Sequence, residues 1–186
     1  SPPRAEITRT SSVSSIRPCP PSPEQHMSAK RKTARQKLET SHPSHGRPFT
    51  IPRATQGSLS HATMIVPRPL DVEAAMRIPR KGQLITLTQI RAKLARAAGV
   101  DQCCPLTSGI FARLAAEAAE DDSRAGKKRI TPWWRTIRDN GKLIDKFPGR
   151  GQVQAARLKL EGSTLKPGRG KQPPSVVAFE SRLTKA

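Results

Sequence analysis

Three cysteines, four histidines and two adjacent tryptophans are the side chains here that could assemble a reactive site. Cys103 and Cys104 are neighbours and Cys19 lies far upstream, so neither a disulfide framework nor the Cys-x-x-Cys spacing of a zinc site is present. His26, His42, His45 and His61 are scattered upstream of the helical periodicity. No metal and no cofactor is expected. Cys103 and Cys104 precede a helix whose dipole could lower a thiol pKa, yet no base stands beside them, so a buried or turn-lining role is expected. Trp133 and Trp134 sit together in TPWWRTIRDNG, in a chain whose other aromatic residues are four Phe, with no Tyr. An indole N–H only donates a hydrogen bond, so neither ring is a base near neutral pH.

The 186 residues suffice for one ordinary domain with tails. Residues 1–66 hold nine Pro, eleven Ser and one aromatic, Phe49, too little apolar surface to offset the entropy of ordering them. Residues 1–63 are therefore read as a disordered basic tail, 64–162 as the domain, and 163–186 as a second basic, Pro/Gly-rich tail. The net charge of +20 and pI near 11.3 make an anionic polymer the leading partner, because each phosphate neutralised by Lys or Arg releases a counterion. The run Lys30, Arg31, Lys32, Arg35, Lys37 fits that role without sequence specificity. No run nears the ~18 apolar residues that span a bilayer, and no apolar secretory block is present. Residues 1–26 have a transit-like Arg/Ser composition, but their Pro density opposes an amphipathic helix, and Met27 opens the basic run.

Within the domain, DVEAAMR reads as a short helix that Asp71 could cap, with Val72, Ala75 and Met76 on one face. In TLTQIRAKLARAAG, Thr86 and Gln89 have capping-box spacing, Leu87, Ile90, Leu94 and Ala98 share a side, and Gly99 can close the helix. A third helix begins near Thr107 or Ser108 and is expected to bury Ile110, Phe111, Leu114, Ala115 and Ala118. The link GVDQCCPL makes this pair a helix-turn-helix, or merely two packed amphipathic helices. The acidic end of the third helix, Glu117, Glu120, Asp121 and Asp122, would point away from DNA or pair with the GKKR loop. ITPWWRTIR and KLID read as strands around an Asn140-Gly141 hairpin turn. GQVQAARLKLEG reads as a last helix with Val153, Ala156, Leu158 and Leu160 toward the core and Gly162 as its stop. The expected fold is mostly α with a short β-hairpin, a winged helix-turn-helix between disordered basic tails.

Over roughly residues 64–162 the motifs, in order and spacing, resemble the methylated-DNA–cysteine methyltransferase family. IPRKGQLITLTQI looks like its "(I/V)P-x-G-x-V-(T/S)-T-Y-G-x-I", PWWRTIRDNGKL stands where it carries "PCHRV(I/V)-x-(S/N)-D-G-x-L", and GRGQVQAARLKLEG is similar to its "GG-x-x-x-K-x-x-L-L-x-x-E-G". In that family the cysteine accepts an alkyl group from a flipped guanine and the adjacent His activates the thiol through water. Pro132 and Arg135 match the motif, whereas the cysteine position is Trp133 and the His position is Trp134. The motif Tyr falls at Leu87 and the inserted Arg near Ser108, departures that should weaken base extrusion, which costs a few kcal/mol. Trp133 resembles the substitution in the alkyltransferase-like branch, which binds alkylated DNA without repairing it and flags it for excision repair.

The resemblance thus implies a DNA-binding protein, acting on double-stranded DNA, alkylated or plain, in DNA repair without alkyl transfer. Excision-repair proteins are implied partners, a monomer without membrane attachment the implied state, and the bacterial cytoplasm and nucleoid the implied setting. DNA contacts are expected from Thr107, Ser108 and Arg113 at the third helix, Arg135, Arg138 and Lys142 at the wing, and Lys127 and Lys128 in the loop. Pro132, Trp133 and Trp134 would form the lesion pocket. There an indole face could stack on a base, worth roughly 1–3 kcal/mol, or the rings could plug the vacated cavity; on a strand both can hold, one per ring. Two alternatives stand beside this reading: a methyltransferase working through a displaced cysteine, and a basic structural nucleic-acid-binding protein.

Overall fold

The computed structural model describes residues 32–51, 62–170 and 172–185. Cys19, His26, Lys30, Arg31, His61 and Lys171 lie outside the described residues, as does the expected disorder of residues 1–31. In chain order the elements are helix α1 (Ala34–Glu39), strands β1 (Pro48–Thr50) and β2 (Thr63–Ile65), helix α2 (Pro69–Met76), strand β3 (Ile85–Thr86), helix α3 (Leu87–Ala98), strand β4 (Gln102–Cys103), helix α4 (Pro105–Arg124), strand β5 (Thr136–Ile137), helix α5 (Gln152–Leu160), and strands β6 (Leu165–Lys166) and β7 (Ser175–Val176). Among the described residues this is a mixed α/β arrangement of helices with three small sheets rather than a mostly α fold. Strand β2 lies antiparallel to β1 and parallel to β4, β3 pairs in parallel with β5, and β6 is antiparallel to β7.

Local chemistry fixes α3 as expected. The Gln89 N–H donates to Thr86 Oγ1 at 3.1 Å, the Thr86 N–H donates to Gln89 Oε1 at 3.0 Å, and Gly99 closes the helix at φ 65°. Helix α2 opens differently: Pro69 takes the first helical position after Arg68, and Asp71 lies exposed inside the first turn rather than capping it. Its carboxylate there still meets the positive end of the helix dipole. Val72, Ala75 and Met76 are buried.

Helix α4 is the central strut, and its packing face is alanine. Ala112, Ala115, Ala116, Ala118 and Ala119 have no exposure, whereas Ile110, expected in the core, is 52% exposed. Small side chains let α1 and α2 approach closely, so the larger Ile110 is turned out. Helix α1, six residues long, is too short to be stable alone and forms because it docks. Its Leu38 is buried, and its Arg35 reaches both Glu73 of α2 and Asp122 of α4. The packed unit therefore begins upstream of residue 64.

It also continues past residue 162. The Leu84 N–H donates to Arg182 O and the Thr184 N–H to Leu84 O, both at 2.8 Å, while Val176 is buried beside Leu143 and Leu158. Gly162, at φ 82°, ends α5 as expected. Of the four apolar residues assigned to the core face of α5, only Leu158 is buried; Val153, Ala156 and Leu160 are exposed. The place of the others is taken by Gln154. Its Oε1 accepts from the Ile144 N–H at 3.0 Å, and its Nε2 donates to the carbonyls of Trp134 and Thr136 at 3.1 and 2.7 Å.

The expected wing does not form from ITPWWRTIR and KLID. The Asn140-Gly141 turn is there, with Gly141 at φ 73° and the Arg138 N–H donating to Lys142 O at 2.9 Å. Beyond it the ladder stops, because both flanks pair elsewhere. Thr136–Ile137 hydrogen-bonds to β3, and the Leu143 N–H donates to Pro174 O. Pro132, lacking an N–H, leads instead into a 3-10 turn, Trp133–Arg135.

Candidate nucleic-acid interface

Strand β5, paired in parallel with β3, follows the 3-10 turn, which packs against α4 and α5. Trp133 is fully buried, edge-on to Phe147 and Trp134 with centroids 5.6 and 6.2 Å away. Its Nε1–H donates to Glu120 Oε1 at 2.9 Å, and Glu120 also pairs with Arg157. The Arg157 guanidinium lies 4.6 Å from the Trp134 ring centroid and 5.5 Å from that of Trp133, a cation–π arrangement. Trp134, half-buried, donates its Nε1–H to Glu161 at 2.9 Å. Arg135 is held by the same carboxylate and by the carbonyl of Pro79. Burial pushes the Glu161 carboxyl up, but Arg135, the Trp134 indole and the Gly82 N–H outweigh it and hold the group below the usual range.

This geometry decides between the two uses of the tryptophans for Trp133. With no exposed surface it cannot stack on a base, and its ring fills a core site. The expected lesion pocket of Pro132, Trp133 and Trp134 is a packed cluster instead. Arg135 faces inward, paired with Glu161. Ser108 is buried, with its Oγ–H donating to Cys104 O at 2.7 Å. Thr107 is half-buried at the same turn.

The remaining expected contacts are at the surface. Arg113 is exposed and paired with Glu117, Arg138 with Asp145, and Lys127 with Asp122 at the end of α4, as foreseen for the GKKR loop. Lys128 is exposed, and Lys142 Nζ donates to Gln172 Oε1 at 3.0 Å. Glu120, however, turns to the tryptophan cluster rather than to that loop.

Arg113 and Arg138 meet at a feature the sequence did not announce. Between the head of α4 and the 144–147 segment runs a groove of about 540 Å³. Its apolar surface comes from Leu87, Leu106, Ile110, Leu114, Ile144 and Phe147. Leu106 is 72% exposed and, with Ile110, stands at the rim. Lys37, Arg113, Arg138 and Lys146 surround it, with Glu117 the one acidic lining residue. Lys37 arrives on α1, which is why a helix within the expected tail matters to the site. Phe147 separates the groove from Trp133.

The two cysteines differ. Cys103 is buried, and burial pushes its thiol above the usual value. Cys104 is half-buried at the start of α4; burial acts in the same direction, but hydrogen bonds from Thr107 and the Leu106 N–H bring its thiol below the usual value. Among the described residues no three His, Cys, Asp or Glu gather as a metal site. No helix there is long and apolar enough to cross a membrane.

No family model matches the sequence, and no curated protein does. Among solved structures, S. pombe Atl1 in complex with damaged DNA containing O6-carboxymethylguanine is similar at a TM-score of 0.43 and 18% identity, covering 63% of this chain and 94% of that one. S. pombe ATL in complex with DNA is similar at a TM-score of 0.44, with the same identity and coverage.

Proposed function

We propose that this protein binds double-stranded DNA through the head of α4 and recognises alkylation damage without taking up the alkyl group. One observation carries the reading: an exposed apolar rim, Leu106 and Ile110, set among Lys37, Arg113, Arg138 and Lys146 at the end of a 20-residue helix. Cations beside such a rim suit a phosphate backbone, and apolar side chains on a helix head suit base edges or a widened step. The motif resemblance supports the same partner. Trp133 supplies neither a thiolate nor a base, and its N–H is already committed to Glu120. An altered base would then meet Leu87, Ile144 and Phe147 rather than an indole. A lesion bound but left in place needs a second activity to remove it, so excision-repair proteins are the partners this reading calls for, acting on a monomer at the nucleoid.

Binding of labelled plain and O6-methylguanine duplexes tests this. Affinity is expected to fall steeply with salt, to favour the methylated duplex, and to drop at least about tenfold in Leu106→Asp with unchanged circular dichroism, a loss of about 1.4 kcal/mol. No binding at low salt would overturn the proposal. A second reading, alkyl uptake at Cys104, is favoured by the lowered pKa of its half-buried thiol. Intact-mass analysis after incubation with methylated duplex separates the two, since only the second predicts a methyl gain, abolished in Cys104→Ser.

A further inference from the structure

The span 163–186, expected to be a tail, carries a built feature of its own. Strands β6 and β7 pair antiparallel, and the described residues between them, 167–170 and 172–174, lie beside the Asn140-Gly141 turn. The Leu143 N–H donates to Pro174 O and the Val176 N–H to Gly141 O, both at 2.9 Å, and Lys142 Nζ holds Gln172. Phe179 packs so closely on Gly141 that a Cβ there would strike its ring, so the glycine serves the docking as well as the turn. The tip is tight: the Gln172 N–H donates to Arg169 O at 3.1 Å, and a side chain on Gly168 would run into the Gln172 carbonyl.

The hairpin carries charge of one sign. From Gly162 to Phe179 the sequence has Lys166, Arg169 and Lys171 and no acidic residue. Among the described residues, Arg113, Lys127, Arg135 and Arg138 each lie against a carboxylate. Lys166 and Arg169 are exposed and, like Lys37, Lys128 and Lys146, belong to none of the ion pairs there; the hairpin differs in presenting them with no acidic residue on the same element. A cation free of an internal carboxylate gives its whole charge to an outside anion. The chain of contacts from Arg138 at the α4 groove, through Lys142 to Gln172, makes the hairpin continuous with that face.

We propose that the β6–β7 hairpin is a preformed arm that grips the phosphate backbone of duplex DNA flanking the α4 groove, with Lys166 and Arg169 as its contacts. This rests on the DNA-binding reading and adds a second surface to it, in the position of a wing but built from a different part of the chain. Because the tip is held by backbone hydrogen bonds, little ordering accompanies its contact with DNA.

The test is the salt dependence of binding to a plain duplex, for the full chain and for Lys166→Ala/Arg169→Ala. Each phosphate contact contributes about 0.9 to the slope of log K against log salt, so the double variant should flatten it by about 1.8. Its affinity at low salt should fall by about tenfold or more, with a melting temperature no lower than the wild type's, because both side chains are solvated. Lys166→Arg should retain the wild-type slope. An unchanged slope and affinity in the double variant, while the wild type binds and Leu106→Asp binds at least about tenfold more weakly, would overturn the arm and leave the groove standing. A wild type that fails to bind overturns both, and a slope change confined to single-stranded RNA overturns the assignment to duplex.

Discussion

Trp133 touches no solvent, and its indole N–H and ring edge are both engaged, by Glu120 and by Phe147 and Trp134. Truncation to Trp133→Ala is expected to cost about 3–5 kcal/mol in urea unfolding, the range for removing a buried large aromatic. Restoring sulfur alone should not restore transfer: Trp133→Cys is expected to gain no methyl group by intact mass. Its thiol would sit behind Phe147, beside Trp134, which cannot act as a base. Some of this was legible in the sequence. That the position lacks an acceptor follows from residue type. That the ring is sealed does not, because the seal comes from Glu120 and Arg157, far away in the chain and recognisable only once α4 and α5 are packed. Gln154 was missed for a similar reason: its residue type gives no sign of burial, and it is buried because three backbone groups of the cluster require it.

Elements were readable where their determinants are local. The Thr86/Gln89 box and Gly99 define α3 within fourteen residues, and Thr86→Ala is expected to cost about 1 kcal/mol in thermal or urea unfolding. The Asn140-Gly141 turn was equally visible, but the sheet partners of its flanks were not, since Ile85 and Pro174 stand far from it in sequence. Residue size misled at Ile110: the contact between α4, α1 and α2 needs small side chains, so the alanines are inside. Helix α1 carries the same kind of box, Thr33 with Gln36, but it was hidden by the Pro/Ser-rich composition of residues 1–66, and six residues stand only because Leu38 and Arg35 dock elsewhere. Leu38→Ala should therefore destabilise by about 2–5 kcal/mol, a loss far larger than an exposed tail residue could cause, read from the urea midpoint.

At the level of the whole molecule, charge sets opposing responses. A net charge of +20 repels itself, so moderate salt should raise the melting temperature of the free protein while it weakens binding to DNA. Acid acts through carboxyls that their partners hold low, Asp101, Asp139 and Asp145 at the surface and three more between packed elements. Glu73, Asp122 and Glu161 all lie below their usual range although burial pushes each one up. Thr131, Arg35 and Arg77 outweigh it at Glu73, Lys127 and Arg35 at Asp122, and Arg135 with the Trp134 indole at Glu161. A carboxyl with a lower pKa folded than unfolded contributes stability above its unfolded value, and loses it as pH falls through the folded one. Urea midpoints should hold from neutral pH down to about the ordinary values of 4.5 for Glu and 3.8 for Asp, then decline. Glu73→Gln should blunt that decline.

The parallel β3–β5 pair joins positions 51 residues apart, and both tryptophans stand beside it in a chain without tyrosine. Ultraviolet-excited emission from this protein consequently originates at a single junction. It reports the packing of that junction on Glu120 of α4 and Arg157 of α5, so a refolding trace recorded that way times the meeting of these helices around the indoles rather than the winding of any one of them.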